Sequence, residues 1–465
     1  MFSFSMGSLT IFKSLPPNKK MPHKWTFQTV NKLSVLLLQA GFVNQINMLY
    51  NSFGLRQGIL SEKCGLRGIY MGSISKEQIR QFRLHTHHLD TWYQKADVED
   101  IAGACGFQNS PPGAWEIALH NRIPDCKQDD MKQMLQVEKT LVQAWSFRGA
   151  PVVFPTSESD AFLSALVSKQ DEPWIYTQGI QLALDFLQMS FGELLLLLKQ
   201  VMPKLNGEVL KSKTTLDQTL AEWVLPLLPN DKRDLWNKPS MYGNLEKQTV
   251  GGAVVSFLLR PCAFMGLVVF GKREGISPTF TAYKHWIGHS LEVKGVPEQK
   301  LVRKYLHCFG PASIGGFADW LGCSSAQAER IWQTVIDEIE PVNLSEKERY
   351  ILSDDKALLL SPPQSERKVH LLGGHDPYLG LQDRDVILDN KAWQKQIWQT
   401  VSNPGAVLWQ GKVVGMWKSK KSGKGLEIEV TLWDDEKMSK RDIEDLGDGY
   451  ALFQQLKLNK ITFLA

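Results

Sequence analysis

The chain has few of the features that mark a metal protein or a disulfide-stabilised protein. Its 465 residues include six cysteines and ten histidines. No two cysteines form a Cys-x-x-Cys pair, and no group of histidines accompanies them at a spacing typical of zinc ligands. We therefore expect no metal site, no cofactor and no disulfide framework, and we expect a reducing cytoplasm as the compartment.

Long apolar runs are also missing. The longest, residues 35–43 and 194–198, fall far short of the roughly 20 residues that cross a bilayer, so we expect no membrane partner. Apolar residues nevertheless make up 43% of the chain, which is enough for a large core divided among subdomains. The 15 tryptophans and a charged fraction of 22% argue against disorder.

Acidic residues are scarce at the N-terminus. Residues 1–70 contain eight Lys or Arg and one acid, Glu62, whereas the remaining 395 residues contain 45 basic and 48 acidic groups and carry a net charge of −3. We interpret residues 1–70 as upstream sequence before an authentic start at Met71, with a basic targeting peptide as the alternative. A nucleic-acid surface on the rest of the chain must then be a local patch.

The segment from 302 to 335 has the pattern of a helix-turn-helix. Ser313 can cap a short helix that ends at Gly322, and Ser324 or Ser325 can cap the next helix. In a helix-turn-helix the second helix lies in a major groove of DNA. The alternative is an ordinary helical hairpin inside a core.

The order of elements after Met71 predicts a mainly α protein with small β hairpins. Three times, helices precede two apolar runs that we interpret as strands, which is the plan of a winged helix. The predicted strand pairs are LVQAWSF with PVVF, VVSFLLR with MGLVVFG, and RYILS with KALLLS. We thus predict an extension (1–70), three tandem winged-helix units (71–160, 161–290 and 291–375) and a β-rich C-terminal subdomain (376–465).

A lysine-rich segment joins two predicted strands near the C-terminus. The sequence KSKKSGK follows GAVLWQGKVVGMW and precedes GLEIEVTLW, which predicts a hairpin with Lys418, Lys420 and Lys421 at its tip. These lysines either protect a strand edge and keep the protein soluble, or contact DNA phosphates without reading the sequence.

Several segments, in order, resemble one family, the winged-helix DNA-binding proteins that include the bacterial DNA glycosylases AlkZ and YcaQ. Its members have a glycine before a Gln-x-Gln or Gln-x-Asp motif, and this chain has Gly106-Phe107-Gln108-Asn109-Ser110. The family strand Arg-Gly-Thr-Leu-His is similar to residues 148–152. Further similar segments are LRPCAFMGLVVFGKREG, the helix-turn-helix, GGHDPYLGLQDR and GAVLWQGKVVGMW.

The resemblance implies DNA binding and excision of N-alkylated or crosslinked bases, with Gln108 and Ser110 holding the hydrolytic water. The sequence departs from the family at two points. Ser110 replaces the second Gln or Asp with a shorter, uncharged group, and Val152 replaces the histidine of the strand. Glu116 could supply the missing carboxylate, although a solvated helix face is the plainer interpretation. The Gln-Asn-Ser-Pro-Pro run is also typical of an ordinary turn.

The other candidate residues have two interpretations each. Arg148 either contacts a phosphate or braces a carboxylate, and Asp376 most simply caps the turn at Pro377. His85, His87 and His88 divide between helix faces, which favours surface or core positions over a metal site. On the second helix of the helix-turn-helix, the candidate DNA contacts are Ser325, Gln327 and Arg330.

The sequence leaves three hypotheses about function. The first is a glycosylase-like repair enzyme, and the second is a non-catalytic DNA-binding protein on the same scaffold that recognises damage or structure or acts in transcription. The third is an interaction scaffold, which the net charge of −3 favours. We expect double-stranded DNA as the partner, a monomer, and a bacterial cytoplasmic location at the nucleoid.

Overall fold

The computed structural model describes residues 74–169, 171–242, 248–274, 277–344, 347–380, 383–399, 402–433 and 439–464. The interpretation of residues 1–70 lies outside the described residues. The helices are α1 (Lys76–Thr86), α2 (Val98–Cys105), α3 (Ala114–His120), α4 (Gln128–Gln133), α5 (Ser159–Phe162), α6 (Gln181–Leu187), α7 (Phe191–Val201), α8 (Lys213–Val224), α9 (Asn230–Trp236), α10 (Val250–Phe264), α11 (Tyr283–Ile287), α12 (Pro297–Phe309), α13 (Ile314–Leu321), α14 (Ser325–Trp332), α15 (Lys356–Leu360), α16 (Lys391–Ile397) and α17 (Lys440–Phe453).

Within the described ranges, the strands form four sheets. They are β1 (Phe107–Gln108), β2 (Leu141–Trp145), β3 (Pro151–Pro155), β4 (Leu210–Lys211), β5 (Val269–Phe270), β6 (Thr279–Thr281), β7 (Ile339–Leu344), β8 (Lys347–Leu352), β9 (Val369–Leu372), β10 (Gly405–Trp409), β11 (Lys412–Ser422), β12 (Gly425–Leu432) and β13 (Lys457–Leu464). The sheet orders are β1-β3-β2, β4-β6-β5, β7-β8 and β13-β12-β11-β10-β9.

The first sheet holds the glutamine motif. Strands β2 and β3 are the predicted pair, and β1 adds a third, antiparallel strand beside β3. In this register Gln108 lies directly opposite Val152. Side chains that are directly opposite in an antiparallel pair project from the same face of the sheet. The motif is therefore part of a sheet, which the sequence had indicated only as a loop.

One predicted strand of the second unit is wrong. Residues 254–260, VVSFLLR, lie within α10, which Thr249 caps by accepting from the backbone N–H of Gly252. This helix is buried on nearly every side, and a short apolar run of that kind has no period that separates a helix from a strand. The predicted MGLVVFG run contains strand β5, whose partner is β6.

The helix-turn-helix has the predicted caps. Ser313 and Ser324 accept hydrogen bonds from the first turns of α13 and α14, and Gly322 ends α13 with a φ of 75°. A hairpin follows, as predicted, but its strands are β7 and β8. The predicted strand KALLLS is wrong, because residues 356–360 form helix α15.

The C-terminal part is rich in strands, as predicted. Strands β9 to β12 are antiparallel, and β13 returns parallel to β12 after helix α17. Strand β11 continues to Ser422, so Lys418, Lys420 and Lys421 lie along a strand and not at the hairpin tip. All three are exposed, and Lys418 and Lys420 lie opposite Glu429 and Glu427 of β12.

The chain thus has the predicted mixed fold. Residues from distant parts of the sequence contribute to one core. The largest apolar cluster contains Ile74, Tyr283, Phe317 and Leu408, one from each of the four predicted segments after residue 70. The segment boundaries therefore stay a prediction. Among the described residues, no single helix meets the length and hydropathy of a membrane span, and Gln178–Leu187 with Phe191–Leu205 meets it only as a pair bent by 93°.

Candidate active site

Gln108 ends strand β1 and lies at the mouth of a cavity. The turn before it requires glycine, because Gly106 has a φ of 71° and a Cβ there would lie 2.8 Å from Cγ1 of Val152. The strand then places the Gln108 side chain, which is half-buried, against the cavity. The resemblance predicted this residue, and the backbone explains how it reaches the cavity.

The Gln108 carboxamide has three contacts. Its Nε2 donates to the backbone oxygen of Ser110 at 3.0 Å and lies 3.3 Å from Nδ1 of His375. Its Oε1 accepts from Nη2 of Arg148 at 3.2 Å. These contacts fix which end of the amide is the acceptor. A carbonyl oxygen has two lone pairs, so Oε1 can still accept a hydrogen bond from a water.

Arg148 braces Gln108 from the turn between β2 and β3. Its backbone is left-handed, with a φ of 55°, and its Nη1 donates to the backbone oxygen of Trp320 in α13. The guanidinium also lies 4.9 Å from the centre of the Phe147 ring. Burial lowers the pKa of Arg148 to about 10, so the group stays charged at neutral pH. Two roles were predicted for Arg148, a phosphate contact and the support of a carboxylate. The observed contacts resemble the second role, although the supported group is the Gln108 amide.

His375 is a site residue that the sequence reasoning missed. It follows strand β9, and its imidazole is half-buried beside Gln108. Burial and then the charge of Arg148 lower the pKa of His375 below its usual 6.5, so the ring is neutral at pH 7. The signal available in the sequence was its position next to Asp376 in GGHDPYLG.

Asp376 holds this loop in place, as predicted. One carboxylate oxygen accepts from the backbone N–H of Tyr378 at 3.0 Å, which caps the turn at Pro377. Both oxygens also pair with the guanidinium of Arg122, at 2.9 and 3.0 Å. Because Arg122 and Asp376 are buried, this pair fixes His375 relative to helix α3.

The cavity has a volume of about 240 Å³. Both polar and aromatic side chains line it. The lining comprises Cys105, Gly106, Gln108, Phe147, Arg148, Phe309, Trp320, Gly374, His375, Asp376, Pro377, Leu379, Gly380, Arg384, Trp398 and Asn403. A concave site with few convergent polar groups and an apolar wall is typical of ligand-binding sites.

Ser110 lines a different cavity. Asn109 is anchored, because its Nδ2 donates to Gln143 and its Oδ1 accepts from the N–H of Gly113. Beyond it Ser110 is exposed and lines a second cavity of about 380 Å³, together with Glu116. Burial raises the pKa of Glu116, and its Oε2 has no hydrogen-bond partner among the described residues. Neither group lines the cavity of Gln108.

The three candidates on α14 have different surroundings. Ser325 is exposed at the first residue of the helix. Gln327 is fully buried and donates to the backbone oxygen of Leu166, so in this structure it packs inside the protein. Arg330 pairs with both oxygens of Glu172, at 2.7 and 2.8 Å, and with Glu298. Of the three, Ser325 alone faces solvent without an ion pair.

The three neighbouring histidines divide as expected. His85 contacts Asp90 at 2.6 Å, with its side chain 38% exposed. His88 packs edge-on against Tyr93, with ring centres 5.1 Å apart. His87 is buried beside Cys105. They do not form a joint cluster.

Comparisons with known proteins agree with this architecture. The family profile described as DNA glycosylase AlkZ-like matches residues 101–453. A Streptomyces sahachiroi protein described as an interstrand DNA cross-link repair glycosylase is 23% identical over 359 residues, which are 74% of this chain and 88% of that protein. The solved structure of Streptomyces sahachiroi DNA glycosylase AlkZ has the same fold, with a TM-score of 0.67 and 20% identity over 84% of this chain and 100% of that chain. Because the profile covers most of the sequence, the chain belongs to the AlkZ-like DNA glycosylase family.

Proposed function

We propose that this protein hydrolyses the N-glycosidic bond of N-alkylated bases in double-stranded DNA, including bases crosslinked between strands. The observation that carries the proposal is that the Gln108 carboxamide and a neutral His375 meet in one cavity. Family membership and the described activity of the Streptomyces relative support the same substrate class.

This reaction requires few catalytic groups from the protein. A purine alkylated at N7 carries a positive charge, so it leaves without a general acid. The protein must hold a water near the sugar carbon and favour its deprotonation as the oxocarbenium-like sugar forms. Gln108 Oε1 can accept one hydrogen of that water. Nδ1 of the neutral His375 ring, which accepts from the Gln108 amide in the free protein, can accept the proton when the water displaces that amide N–H.

Arg148 contributes by orientation and charge. Its contact with Oε1 keeps the amide from flipping, so the acceptor stays directed into the cavity. A positive charge beside the water also favours the developing hydroxide. That charge would disfavour an oxocarbenium at contact distance, so the water must lie between Arg148 and the sugar.

His375 compensates for both departures from the family pattern. The family histidine of the Arg-Gly-Thr-Leu-His strand corresponds to Val152, and Val152 lies directly across from Gln108. Here a different element supplies an imidazole to the same glutamine. The loss of a second acceptor at Ser110 is offset in the same way.

A second candidate function is DNA binding without catalysis. One observation favours it, since three protein contacts already engage the Gln108 carboxamide and Ser110 lines another cavity. On this account the cavity would recognise an extrahelical base without cleaving the glycosidic bond.

An excision assay separates the two candidates. Duplexes containing N7-methylguanine or a nitrogen-mustard crosslink would be incubated with the wild type, Gln108→Ala and Gln299→Ala, and abasic sites would be scored after heating. Gln299 is a matched control, because its half-buried amide binds Thr334 and Glu338 outside the cavity. We expect excision by the wild type and the control and a loss of about 10²-fold in Gln108→Ala. If the wild type and both variants bind the duplex but none of them excises the base, DNA binding without catalysis is favoured.

A further inference from the structure

A buried cluster of metal-ligand type adjoins the Gln108 cavity through Cys105. His87 follows helix α1, Cys105 ends α2, and Cys308 lies near the end of α12. Each residue offers one ligand atom, and these atoms all lie within 4.8 Å of one another. The three residues are 2%, 4% and 0% exposed. The elements come from three places in the sequence, so no ligand spacing could have revealed the cluster.

We infer that His87, Cys105 and Cys308 bind one Zn²⁺ ion. Two thiolates and an imidazole are ligands that zinc prefers, and they suit hard cations such as Mg²⁺ poorly. With ordinary Zn–S and Zn–N bond lengths, a tetrahedral site places ligand atoms about 3.6–3.8 Å apart. His87 Nδ1 and Cys105 Sγ are 3.9 Å apart, and all the ligand atoms lie within 4.8 Å of one another, so the ligands must close by up to about 1 Å around an ion.

The imidazole of His87 lacks the partners that a buried histidine normally has. Its Nε2 has no hydrogen-bond partner among the described residues, and its Nδ1 meets a weakly polar thiol. Phe309 and Tyr378 pack against the ring in T-shaped contacts. Leaving a buried polar group without a strong partner is costly. A zinc ion would replace the weak contact of Nδ1 with the thiol by a strong bond, while Nε2 keeps its present surroundings.

The charges nearby permit a divalent cation. Zn²⁺ with two thiolates is neutral overall. Two arginines, Arg122 and Arg83, act on His87 through their charge. Arg122 is paired with Asp376, and Arg83 is paired with Asp383. The site therefore adds no uncompensated charge to the core, which would otherwise oppose metal binding.

The position of the cluster gives the zinc a role in shaping the site. Cys105 lines the Gln108 cavity and directly precedes the Gly106 turn. A solvent oxygen from the cavity completes the four ligands. The ion holds the ends of α1, α2 and α12 together, and through Cys105 it fixes the start of strand β1. This inference does not depend on the proposed glycosylase activity.

Metal content and cobalt spectroscopy test the inference without any DNA assay. The full-length chain would be expressed with added zinc, purified without chelator and analysed by mass spectrometry of the metals. We expect about one zinc per chain in the wild type. We expect less than a tenth of that in Cys105→Ser and in Cys308→Ser. Cys262→Ser is the matched control, because Cys262 is fully buried but belongs to α10, and it should keep the zinc.

Cobalt reconstitution of the wild type keeps the test decisive if a cysteine variant does not fold. Co²⁺ should give a near-ultraviolet thiolate-to-cobalt charge-transfer band and the intense visible bands of a tetrahedral ion. A zinc-free wild type that shows neither band with Co²⁺ would overturn the inference. Zinc retained in both Cys105→Ser and Cys308→Ser would overturn it as well.

Discussion

Gln108 and the two residues that follow it line different cavities. Gln108 lines one cavity. Asn109, which is hydrogen-bonded to Gln143, and Ser110 line the other. In a continuing strand, residues 108 and 110 would share a face. Strand β1 ends at Gln108, so that alternation stops. The expectation that Gln108 and Ser110 share one water therefore does not follow from the sequence motif in this chain.

The pH dependence of excision tests the role of His375. Its pKa lies below 6.5 because burial and Arg148 disfavour the charged ring. The ring is thus neutral at pH 8 and still mostly neutral at pH 6.5. At lower pH it gains a proton and loses its acceptor. We expect an excision rate that is level near pH 8 and falls to half its maximum only below pH 6.5, after subtraction of spontaneous depurination.

The variant His375→Gln should lower the plateau by about 10²-fold and remove the acidic fall. His289→Gln is the control, because His289 is an exposed histidine with its side chain 57% accessible. The role assigned to His375 would be refuted by an unchanged rate and pH profile in His375→Gln.

At the scale of elements, local signals were predictable and buried apolar runs were not. The caps at Ser313 and Ser324 and the stop at Gly322 depend on neighbouring residues, so the helix-turn-helix could be predicted with its bounds. The runs at 254–260 and 356–360 depend on burial by distant parts of the chain. Their composition suits a strand as well as a buried helix, and in both cases the helix forms.

Strand β11 is the element where we expect DNA phosphates to bind. Lys418, Lys420 and Lys421 are exposed along it, although Glu429 and Glu427 oppose two of them. Replacing all three lysines with glutamine should weaken duplex binding and reduce the slope of log affinity against log salt by about 1 or more. Fluorescence anisotropy at several salt concentrations measures that slope.

A control for the lysine variant lies on the same sheet. Lys457 and Lys460 are exposed on strand β13, which β12 separates from β11, and their replacement with glutamine should change the slope less. If the β11 variant keeps the wild-type slope, its lysines serve solubility and edge protection instead.

At the scale of the whole molecule, the site depends on contacts between distant parts of the chain. His375 lies 267 positions from Gln108, and the buried pair that fixes its loop joins Arg122 to Asp376 across 254 positions. Gln108 and Arg148 were identified because family resemblance places them in a local motif. No local pattern links either residue to His375, since that proximity is a product of packing.

Removing the Arg122–Asp376 pair should destabilise the whole protein. Asp376→Ala leaves a buried guanidinium without its counterion, and we expect the free energy of unfolding to fall by about 3–5 kcal/mol. Urea denaturation followed by circular dichroism measures the change. In the control Asp389→Ala, which breaks an exposed pair with Lys76, the loss should stay below about 1 kcal/mol. Equal losses in the two variants would contradict the structural role of Asp376.

The most direct test of the account is the single-turnover release of N7-methylguanine from a duplex by the wild type, Gln108→Ala and Ser110→Ala. If the Gln108 cavity holds the hydrolytic water, the rate should fall about 10²-fold in Gln108→Ala. It should stay within a few-fold of wild type in Ser110→Ala, because Ser110 lines the other cavity. Equal rates for the wild type and Gln108→Ala, or a loss confined to Ser110→Ala, would contradict the account.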